Sequence, residues 1–467
     1  MAFRDLRDYI DRLATLGELR RIMTEVNPTL EIAEITARVA KMPEGGPALL
    51  FERVRGKDMP VATNLFGSDR RTALALGVDD SNELTGRMEA ALAADSSLPW
   101  REALAGLAIE PLLTERAPCQ EIVDTAPNLD LFPFLTCWPA DGAPNRDGRF
   151  ITLPQVFTRE PTSGAANCGM YRVAIFGPDR VGIRWHPGSG GAEHCMAYSA
   201  AGRSMPVAIA VGGDPALLFA AMLPLPDSVD EIRFAGFLRR GPVEMARCVT
   251  SDLQVPAGAE LVIEGVIQPG EMEMDGAFGN HTGFYVPAAK VPVVRVKAIT
   301  RRRAPIYPAT VVGRPPMEDC YLARAAWRLL LPLLRREVPE VLDIHLPMEW
   351  IFHGAAIIAV DRPASGTADL AARLLASPWL GRSRLLILVD AQEEIRDLSL
   401  IAWRVMNLTD WRRDLAIHDN PASPAGGERL ILDATRSPQL AKSRPGELDS
   451  DAATRLMVDG RWREYGF

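Results

Sequence analysis

Cysteine is scarce in this chain and is never placed for cross-linking. The six cysteines stand singly among 467 residues, and no two form a CxxC pair. This pattern argues against a disulfide framework and against a cysteine zinc site. We expect the thiols to be reduced and mostly buried. They are Cys119, Cys137, Cys168, Cys195, Cys248 and Cys320.

Long apolar runs and an excess of positive charge are also absent. No stretch reaches about 18 uninterrupted apolar residues, and the amino terminus lacks the basic and apolar segments of a targeting signal. The net charge of -8 provides no basic footprint for nucleic acid or an anionic membrane. The sequence therefore predicts a soluble, cytoplasmic protein with no membrane span and no nucleic-acid partner.

Histidine is sparse as well, and its spacing argues against a histidine-rich metal centre. No two of the six histidines have the i, i+4 spacing of a helical zinc site. They are His186, His194, His281, His345, His353 and His418.

The length and the residue patterns predict an α/β protein of two or three domains. Apolar residues from Phe3 to Leu16 recur at helical spacing before Gly17, which predicts an amphipathic helix. Short β-branched runs from about residue 150 to 312 predict a β-rich central domain of barrel type. Beyond residue 322, predicted helices (322–336, 367–375, 398–406) alternate with predicted strands (355–360, 385–389, 415–418). This alternation favours a mostly parallel sheet.

The last twelve residues, 456–467, carry several large apolar side chains on a segment too short to fold alone. We expect this tail to dock on its own domain or on a neighbouring subunit.

One acidic segment points to acid chemistry. Glu271, Glu273 and Asp275 stand at i, i+2 and i+4, so in an extended segment they project from one face, where like charges raise at least one pKa. Gly276 and Gly279 allow a tight turn or a close approach to a ligand. The alternative is a solvated hairpin tip, since most charge runs lie in water.

A second candidate region combines polar and basic side chains before a predicted strand. Asn167 and Arg172 could both reach one phosphate-bearing ligand, and an amide oxygen with a carboxylate such as Glu231 suits Mn²⁺ or Mg²⁺. Residues 188–191 (GSGG) resemble a phosphate-binding loop but lack the P-loop ending, so an ordinary turn is the alternative.

The ordered motifs of the chain resemble those of the UbiD family of decarboxylases, flavoproteins that use prenylated FMN. The resemblance covers nearly the whole chain. The matching segments are 64–67 (NLFG), 169–172 (GMYR), 206–215 (PVAIAVGGDP), 230–238 (DEIRFAGFL), 252–256 (DLQVP), 276–283 (GAFGNHTG), 313–319 (GRPPMED) and 432–435 (LDAT).

The resemblance implies a three-part architecture and a cofactor site. The parts are an amino-terminal α/β region (1–115), a central split β-barrel of flavin-reductase type that binds prenylated FMN (116–312), and a carboxy-terminal α/β domain used in assembly (313–467). It implies Mn²⁺ held by Asn167 and Glu231 against the cofactor phosphate, with K⁺ as an accompanying ion. The implied cofactor contacts are Met170, Tyr171, Arg172, Arg184, Trp185, Gly190 and Gly191.

The chain departs from the family pattern where the chemistry is expected. The family pairs its arginine with two acids, a Glu before the glycine-rich turn and a Glu or Asp directly after it. Here the first position is Asp275, which is shorter by one methylene, and the second is Asn280, which cannot exchange a proton near neutral pH.

Three interpretations of this departure stay open. Asp275 serves alone as the acid while Asn280 orients the substrate; or His281 or Glu273 supplies the proton; or the protein keeps the cofactor fold as a non-catalytic binding or assembly subunit. A further departure is Arg429, where the family often has lysine; either cation could serve an anion, with different geometry.

The resulting prediction is a carboxy-lyase acting on an aromatic, heteroaromatic or α,β-unsaturated acid. Its predicted catalytic residues are Arg172, Asp275 and Asn280. A flavin prenyltransferase is the expected supplier of the cofactor, and a homodimer or homohexamer the expected assembly. A metal-dependent hydrolase built on the acidic cluster is a weaker alternative.

Overall fold

The computed structural model describes residues 3–93, 98–143, 147–361, 367–419, 427–435, 448 and 450–466. Among these residues, no helix is both long and apolar enough to cross a lipid bilayer. Three regions follow one another along the chain, each built around its own sheet.

The amino-terminal region begins with the predicted amphipathic helix. Asp5 caps this helix by accepting a hydrogen bond from the Asp8 N–H, and the helix buries Leu6, Ile10 and Leu13. The elements are α1 (Leu6–Thr15), β1 (Leu19–Ile22), α2 (Glu31–Val39), β2 (Ala48–Phe51), β3 (Val61–Thr63), α3 (Asp69–Ala75), α4 (Asn82–Ala93), α5 (Trp100–Ala105) and β4 (Leu112–Leu113).

The central region is the β-rich part that the sequence predicts. Its elements are β5 (Ile122–Asp124), β6 (Phe150–Ile151), β7 (Pro154–Arg159), β8 (Ala166–Gly169), β9 (Val173–Ile175), β10 (Arg180–Ile183), α6 (Gly190–Ala200), β11 (Met205–Gly212), α7 (Pro215–Ala220), α8 (Glu231–Arg239), β12 (Glu244–Arg247), β13 (Gln254–Pro256), β14 (Ala259–Met274), β15 (Phe278–Gly279), β16 (Tyr285–Val286), β17 (Lys290–Arg301) and β18 (Tyr307–Pro308).

The main sheet of this region has nine antiparallel strands and curls into a half-barrel. Its order is β6-β9-β10-β17-β14-β11-β7-β8, with β5 added beside β17. The long strands β14 and β17 pair from Leu261↔Arg301 to Met274↔Lys290 and form its spine. Strand β18 leaves this region and completes the amino-terminal sheet, whose order is β1-β2-β3-β18.

The carboxy-terminal region has the predicted alternation of helices and strands, but its sheet is mixed. The elements are α9 (Glu318–Glu337), β19 (Val341–His345), β20 (Ala355–Val360), α10 (Ala368–Ala376), β21 (Leu385–Asp390), α11 (Leu398–Leu408), β22 (Leu415–Asp419), β23 (Glu428–Asp433) and α12 (Ala452–Gly460). In the order β19-β20-β21-β23-β22, only the β20-β21 and β21-β23 pairs are parallel, while both edge strands run antiparallel.

The prediction of a mostly parallel sheet is therefore wrong at the edges. Each edge strand pairs with the strand next to it in sequence, β19 with β20 and β22 with β23. A short connection leads from β19 to β20, and β22 is followed in sequence by β23, its antiparallel neighbour. Parallel pairing needs a crossover of about a dozen residues or more, which α10 provides between β20 and β21.

The three regions share buried apolar surface. Side chains of α1 and α4, of α7 and α8, and of one face of the carboxy-terminal sheet lie in one continuous cluster. A second cluster lines the inside of the half-barrel. Because the regions pack together in this way, the predicted domain boundaries after residues 115 and 312 stay predictions.

Helix α12 of the tail has no buried residue. Leu456, Met457 and Trp462 are each at least half exposed. Docking of the tail on its own domain is not observed among the described residues, and Phe467 lies outside them. Docking on a neighbouring subunit stays a prediction.

Candidate active site

The predicted acid Asp275 is buried at the end of the longest strand of the half-barrel. It follows β14 directly, and Gly276 then turns the chain with a φ of 92°. The Asp275 carboxylate accepts hydrogen bonds from Arg172 Nη2 at 2.7 Å, from Arg184 Nη1 at 3.1 Å and from the Ala289 N–H at 2.8 Å. These bonds occupy both carboxylate oxygens.

The other two acids of the cluster do not share this site. Glu271 pairs with Arg295 at 2.8 Å and Glu273 pairs with Arg180 at 2.9 Å. The expected crowding of like charges is therefore not seen at Glu271, because the hydrogen bond from Arg295 lowers the pKa of that carboxyl. The solvated-tip interpretation fits Glu271 but not Asp275, whose side chain is 1% exposed.

Arg172 lies in the junction between β8 and β9, with its guanidinium 4.8 Å above the Phe278 ring. Burial lowers the pKa of Arg172, and the hydrogen bond from its guanidinium to Asp275 opposes that change. Arg172 Nε is buried and has no hydrogen-bond partner among the described residues. A buried donor without a partner is costly, so this side of the guanidinium suits an anionic or oxygen-bearing ligand.

Asp141, which the sequence analysis missed, holds the turn that carries the candidate acids. Its Oδ1 accepts from the Gly279 N–H at 2.8 Å, and its Oδ2 accepts from the Trp138 N–H at 2.9 Å. Gly142 and Ala277 exchange two backbone hydrogen bonds beside it. A single carboxylate far away in sequence thus fixes the segment after Asp275, and no local motif signals it.

Asn280 uses one of its two polar atoms within its own turn. Its Oδ1 accepts hydrogen bonds from the backbone N–H and from the hydroxyl of Thr282, at 3.0 and 2.6 Å. The amide NH₂ is left to donate to a ligand. This arrangement agrees with an orienting role for Asn280.

The alternative proton donors are held elsewhere. Glu273 pairs with Arg180, and His281 Nε2 lies 2.7 Å from His353 Nε2 of the carboxy-terminal region. Among the three candidates, Asp275 is the acid in contact with Arg172.

Asn167, on β8, is close to a histidine that the sequence analysis set aside. Asn167 Nδ2 donates to Thr158 Oγ1 at 3.4 Å, and Thr158 Oγ1 is 2.8 Å from His194 Nδ1 on α6. The Cys168 N–H, next along β8, donates to Glu231 Oε2 at 3.1 Å. Asn167, His194 and Glu231 therefore surround one end of β8, with His194 Nε2 left as the nitrogen free for a ligand.

This set fits a divalent cation. Burial raises the pKa of Glu231 to about 7. No lysine, arginine or histidine among the described residues forms an ion pair with this carboxylate. Thr158 fixes the His194 ring through Nδ1, the kind of support that metal-binding histidines receive. Among the described residues, no group of three or more His, Cys, Asp or Glu side chains is close enough together to hold a metal ion. The spacing of residues in the sequence gave no signal for His194, because the other two members of the set, Asn167 and Glu231, lie on other elements.

We expect His194→Gln to weaken Mn²⁺ binding by about 10- to 100-fold, because the imidazole nitrogen is lost from a three-residue set. Calorimetric titration of the purified protein with MnCl₂ measures this change. The neighbouring, exposed Glu193 on the same helix provides the matched control Glu193→Gln. Equal Mn²⁺ affinity in the two variants would remove His194 from the site.

Four of the seven predicted cofactor contacts, Tyr171, Trp185, Gly190 and Gly191, lie together around the start of α6. The Tyr171 and Trp185 rings meet edge to face with centroids 4.8 Å apart, and the Gly191 N–H donates to the Tyr171 hydroxyl at 3.4 Å. A Cβ on Gly190 would lie 2.3 Å from Asn167 Oδ1, and one on Gly191 would lie 2.5 Å from the Trp185 ring. Ser189 caps the helix by accepting a hydrogen bond from the Ala192 N–H, so residues 188–191 form the start of α6.

The His281–His353 pair joins the central and carboxy-terminal regions in a neutral state. Burial is the main cause that lowers the pKa of each imidazole to about 4, and nearby positive charge adds to it. In the unfolded chain histidine has a pKa of about 6.5. The unfolded state therefore binds more protons between these values, so the stability from this pair is present above pH 6.5 and is lost as the pH falls toward 4.

We expect the loss of stability caused by His353→Asn to be larger at pH 7 than at pH 5. The measurement is the urea unfolding midpoint of both proteins at the two pH values. Buried carboxylates that titrate in the same pH range, such as Asp319 with a pKa of about 7, are present in both proteins. Their contributions therefore cancel in the stability difference between wild type and variant. A pH-independent difference would contradict the neutral pair.

Comparisons with known proteins agree on one family. Three family models match in order: the 3-octaprenyl-4-hydroxybenzoate carboxy-lyase N-terminal domain at 10–91, the Rift-related domain at 112–315 and the C-terminal domain at 320–434. An uncharacterized protein of Archaeoglobus fulgidus is 40% identical, with 99% of both chains covered.

Two solved structures extend this likeness to the fold. The UbiD-class enzyme HmfF of Pelotomaculum thermopropionicum in complex with FMN has a TM-score of 0.82 at 30% identity, covering 97% of this chain and 98% of that one. The closed form of vanillic acid decarboxylase from Sedimentibacter hydroxybenzoicus has a TM-score of 0.85 at 27% identity, covering 100% and 99%.

Proposed function

Because the chain belongs to the UbiD family, whose members are carboxy-lyases, we propose that it decarboxylates an aromatic, heteroaromatic or α,β-unsaturated acid with prenylated FMN and Mn²⁺. The observation that carries the proposal is the buried contact between Arg172 and Asp275. It brings a carboxylate-binding cation and an acid together beside the stretches proposed to contact the cofactor.

Loss of CO₂ leaves an electron pair on carbon, and no amino-acid side chain delocalises that charge. The bound prenylated flavin supplies the electron sink. The chain has residues that fit such a group: Arg172 with its unpaired Nε, and the aromatic pair Tyr171 and Trp185 near the start of α6. Asn167, His194 and Glu231 would hold Mn²⁺ near the cofactor phosphate, with K⁺ as an accompanying ion.

Arg172 binds the carboxylate of the substrate in this proposal. Its guanidinium can form two parallel hydrogen bonds to a carboxylate, which fixes the orientation of the acid. The substrate carboxylate then competes with Asp275 for the same guanidinium. This competition frees one oxygen of the Asp275 carboxylate. The carboxylate needs a free oxygen before it can accept a proton and then act as an acid.

Asp275 delivers the proton that replaces CO₂. The bond between the carboxyl carbon and the substrate breaks, CO₂ leaves, the electron pair stays on the substrate carbon, and a proton that Asp275 has taken from solvent goes to that carbon. The Ala289 N–H and Arg184 keep the carboxylate in place. Asn280 orients the substrate through its free NH₂ group.

Asn280→Asp tests whether this position is a second proton donor that has been lost. An aspartate keeps the oxygen that accepts from Thr282, so the turn is expected to stay intact. We expect turnover to be retained or increased, measured as CO₂ release and as solvent-deuterium exchange into the product. A variant with a native fold and cofactor content but less than about a hundredth of wild-type turnover would show that the amide itself is needed.

Assembly, location and cofactor supply complete the proposal. We propose a cytoplasmic homodimer or homohexamer, assembled through the carboxy-terminal domain and loaded by a flavin prenyltransferase. The central half-barrel would be the flavin-binding, split-barrel domain. A non-catalytic subunit of the same fold remains the alternative, and the single acid at Asp275 with Asn280 in the second position is the observation that favours it.

A further inference from the structure

Residues 138–142, which we call the clamp, pack directly against the turn formed by residues 276–279. Gly142 and Ala277 exchange two backbone hydrogen bonds, at 2.8 and 2.9 Å. A Cβ atom on Gly276 would lie 2.1 Å from the carbonyl carbon of Gly142. The two backbones therefore meet with no space for a side chain between them, so the position of the clamp sets the position of the turn.

Asp141 is buried and joins the clamp to the turn through its side chain. Its Oδ2 accepts hydrogen bonds from the Cys137 and Trp138 N–H groups, at 3.2 and 2.9 Å, and its Oδ1 accepts from the Gly279 N–H at 2.8 Å. All three donors are backbone groups, which suits an ionised carboxylate because it is purely an acceptor. Asp141 therefore fixes Gly279, the residue directly before Asn280.

The Trp138 ring connects the turn with the segment that leads into α9. A Cβ atom on Gly279 would lie 2.2 Å from Trp138 Cδ1, and one on Gly313 would lie 2.7 Å from Cζ2 of the same ring. The indole N–H donates to the Val312 carbonyl oxygen at 2.9 Å. The clamp is thus itself held in place by a third segment of the chain, which restricts its movement.

The clamp also reaches the second strand of the β15–β16 hairpin, whose loop carries Asn280. The Ala140 N–H donates to the Tyr285 hydroxyl at 3.1 Å, and Tyr285 pairs with Gly279 across the hairpin. Within the loop, Asn280 donates its N–H to the Phe284 carbonyl oxygen at 3.1 Å. The loop is therefore expected to move as one unit with the two strands that the clamp holds.

Asp275 does not depend on the clamp in the same way. Its carboxylate is held by the two arginines of the site and by the Ala289 N–H, and its own N–H donates to the Ala289 carbonyl oxygen at 3.0 Å. Loss of a clamp contact is therefore expected to displace Asn280 and to leave Asp275 in place. A displacement of about 1 Å in a group that orients a substrate can lower the rate about 100-fold.

We propose that Asp141 is a positioning residue for the reaction, because through Gly279 it holds Asn280 where the free amide group orients the substrate. This inference rests on the proposed function and names a residue on which the role of Asn280 depends. Asp141 donates no proton in this role. Its carboxylate acts on the backbone of the turn, so its removal changes turnover through Asn280.

The experiment is a double-mutant cycle between positions 141 and 280 in the holoenzyme. Asp141→Asn, Asn280→Ala and the double variant are compared with wild type by kcat, KM, flavin content and thermal unfolding. Asp214→Asn is the matched control, since Asp214 is another buried aspartate and caps α7 by accepting a hydrogen bond from the Ala216 N–H. Tyr285→Phe removes a more exposed contact of the clamp, and the same cycle is run with it if Asp141→Asn does not fold.

We expect Asp141→Asn to lower kcat by about 10- to 100-fold with unchanged flavin content. In the Asn280→Ala background the same change should cost less than about threefold, because no amide is left to position. Tyr285→Phe should show the same pattern with a smaller loss, and Asp214→Asn should lower the unfolding temperature but keep kcat. Equal losses from Asp141→Asn in both backgrounds, or an equally large kcat loss in Asp214→Asn, would overturn the inference.

Amide hydrogen exchange tests the clamp without turnover. Asp141→Asn should speed exchange in residues 277–284 and leave the paired strands β14 and β17 unchanged. Unchanged exchange in residues 277–284, or CO₂ release by wild type that Asp141→Asn leaves intact, would refute the inference and keep the proposed function. Faster exchange in this segment with no CO₂ release from any acid in wild type would refute the function and leave Asp141 as the residue that holds the Asn280 loop.

Discussion

Arg172→Ala is expected to lower kcat/KM for decarboxylation by about 10³-fold in a protein that still folds. The guanidinium is buried, contacts Asp275 at 2.7 Å and lies over the Phe278 ring. Its removal deletes the proposed binding group for the substrate carboxylate. The Asp275 carboxylate then keeps its hydrogen bonds from Arg184 and the Ala289 N–H. Arg172→Lys keeps the charge but not the paired donors, so we expect it to recover only a small part of the activity.

The matched control is Arg180→Ala, which removes an arginine from the neighbouring strand β10 and a carboxylate contact to Glu273. We expect near wild-type turnover from this variant. Steady-state kinetics, thermal unfolding and flavin content are measured for all three proteins. A wild-type rate in Arg172→Ala would contradict the assignment of the site.

Asp275→Asn is expected to lower turnover by about 10²- to 10⁴-fold, the range for the loss of a general acid. An asparagine has nearly the same shape, so Gly276 and the following turn should keep their positions. The neutral amide cannot donate an acidic proton, and it leaves the charges of Arg172 and Arg184 without their common carboxylate. Solvent-deuterium exchange into the decarboxylated product should fall with turnover.

Two further variants define the role of this carboxylate. Asp275→Glu restores the residue usual in the family, and we expect it to retain activity because the longer side chain reaches further toward the substrate. Glu273→Gln removes the alternative acid two residues earlier and should have little effect, since Glu273 pairs with Arg180. Activity lost in Glu273→Gln but kept in Asp275→Asn would transfer the acid role to Glu273.

Local sequence was enough to predict several elements of the fold. Helix α1 follows from the apolar spacing of the segment before Gly17, and strands β20 and β21 follow from their continuous apolar runs. The direction of the edge strands β19 and β22 was not predictable from alternation alone, because it depends on whether the connection crosses over the sheet.

Residues of the candidate site were predictable from the sequence only where they lie in a recognisable local motif. Arg172 and Asp275 stand out through their motifs, and the fold brings them into contact. Asp141 and His194 act through partners more than 30 residues away, namely Gly279 and Thr158. Such pairings arise from tertiary packing, so spacing in a single sequence gives no signal for them.

The most direct test of the proposed decarboxylase function is the identity of the bound cofactor. The chain is co-expressed with a flavin prenyltransferase, purified with Mn²⁺, and its cofactor is characterised by visible spectrum and mass. We expect prenylated FMN in wild type and Glu193→Gln, and CO₂ release from at least one aromatic acid. A folded protein with bound Mn²⁺ that takes up no prenylated flavin would contradict the proposed function.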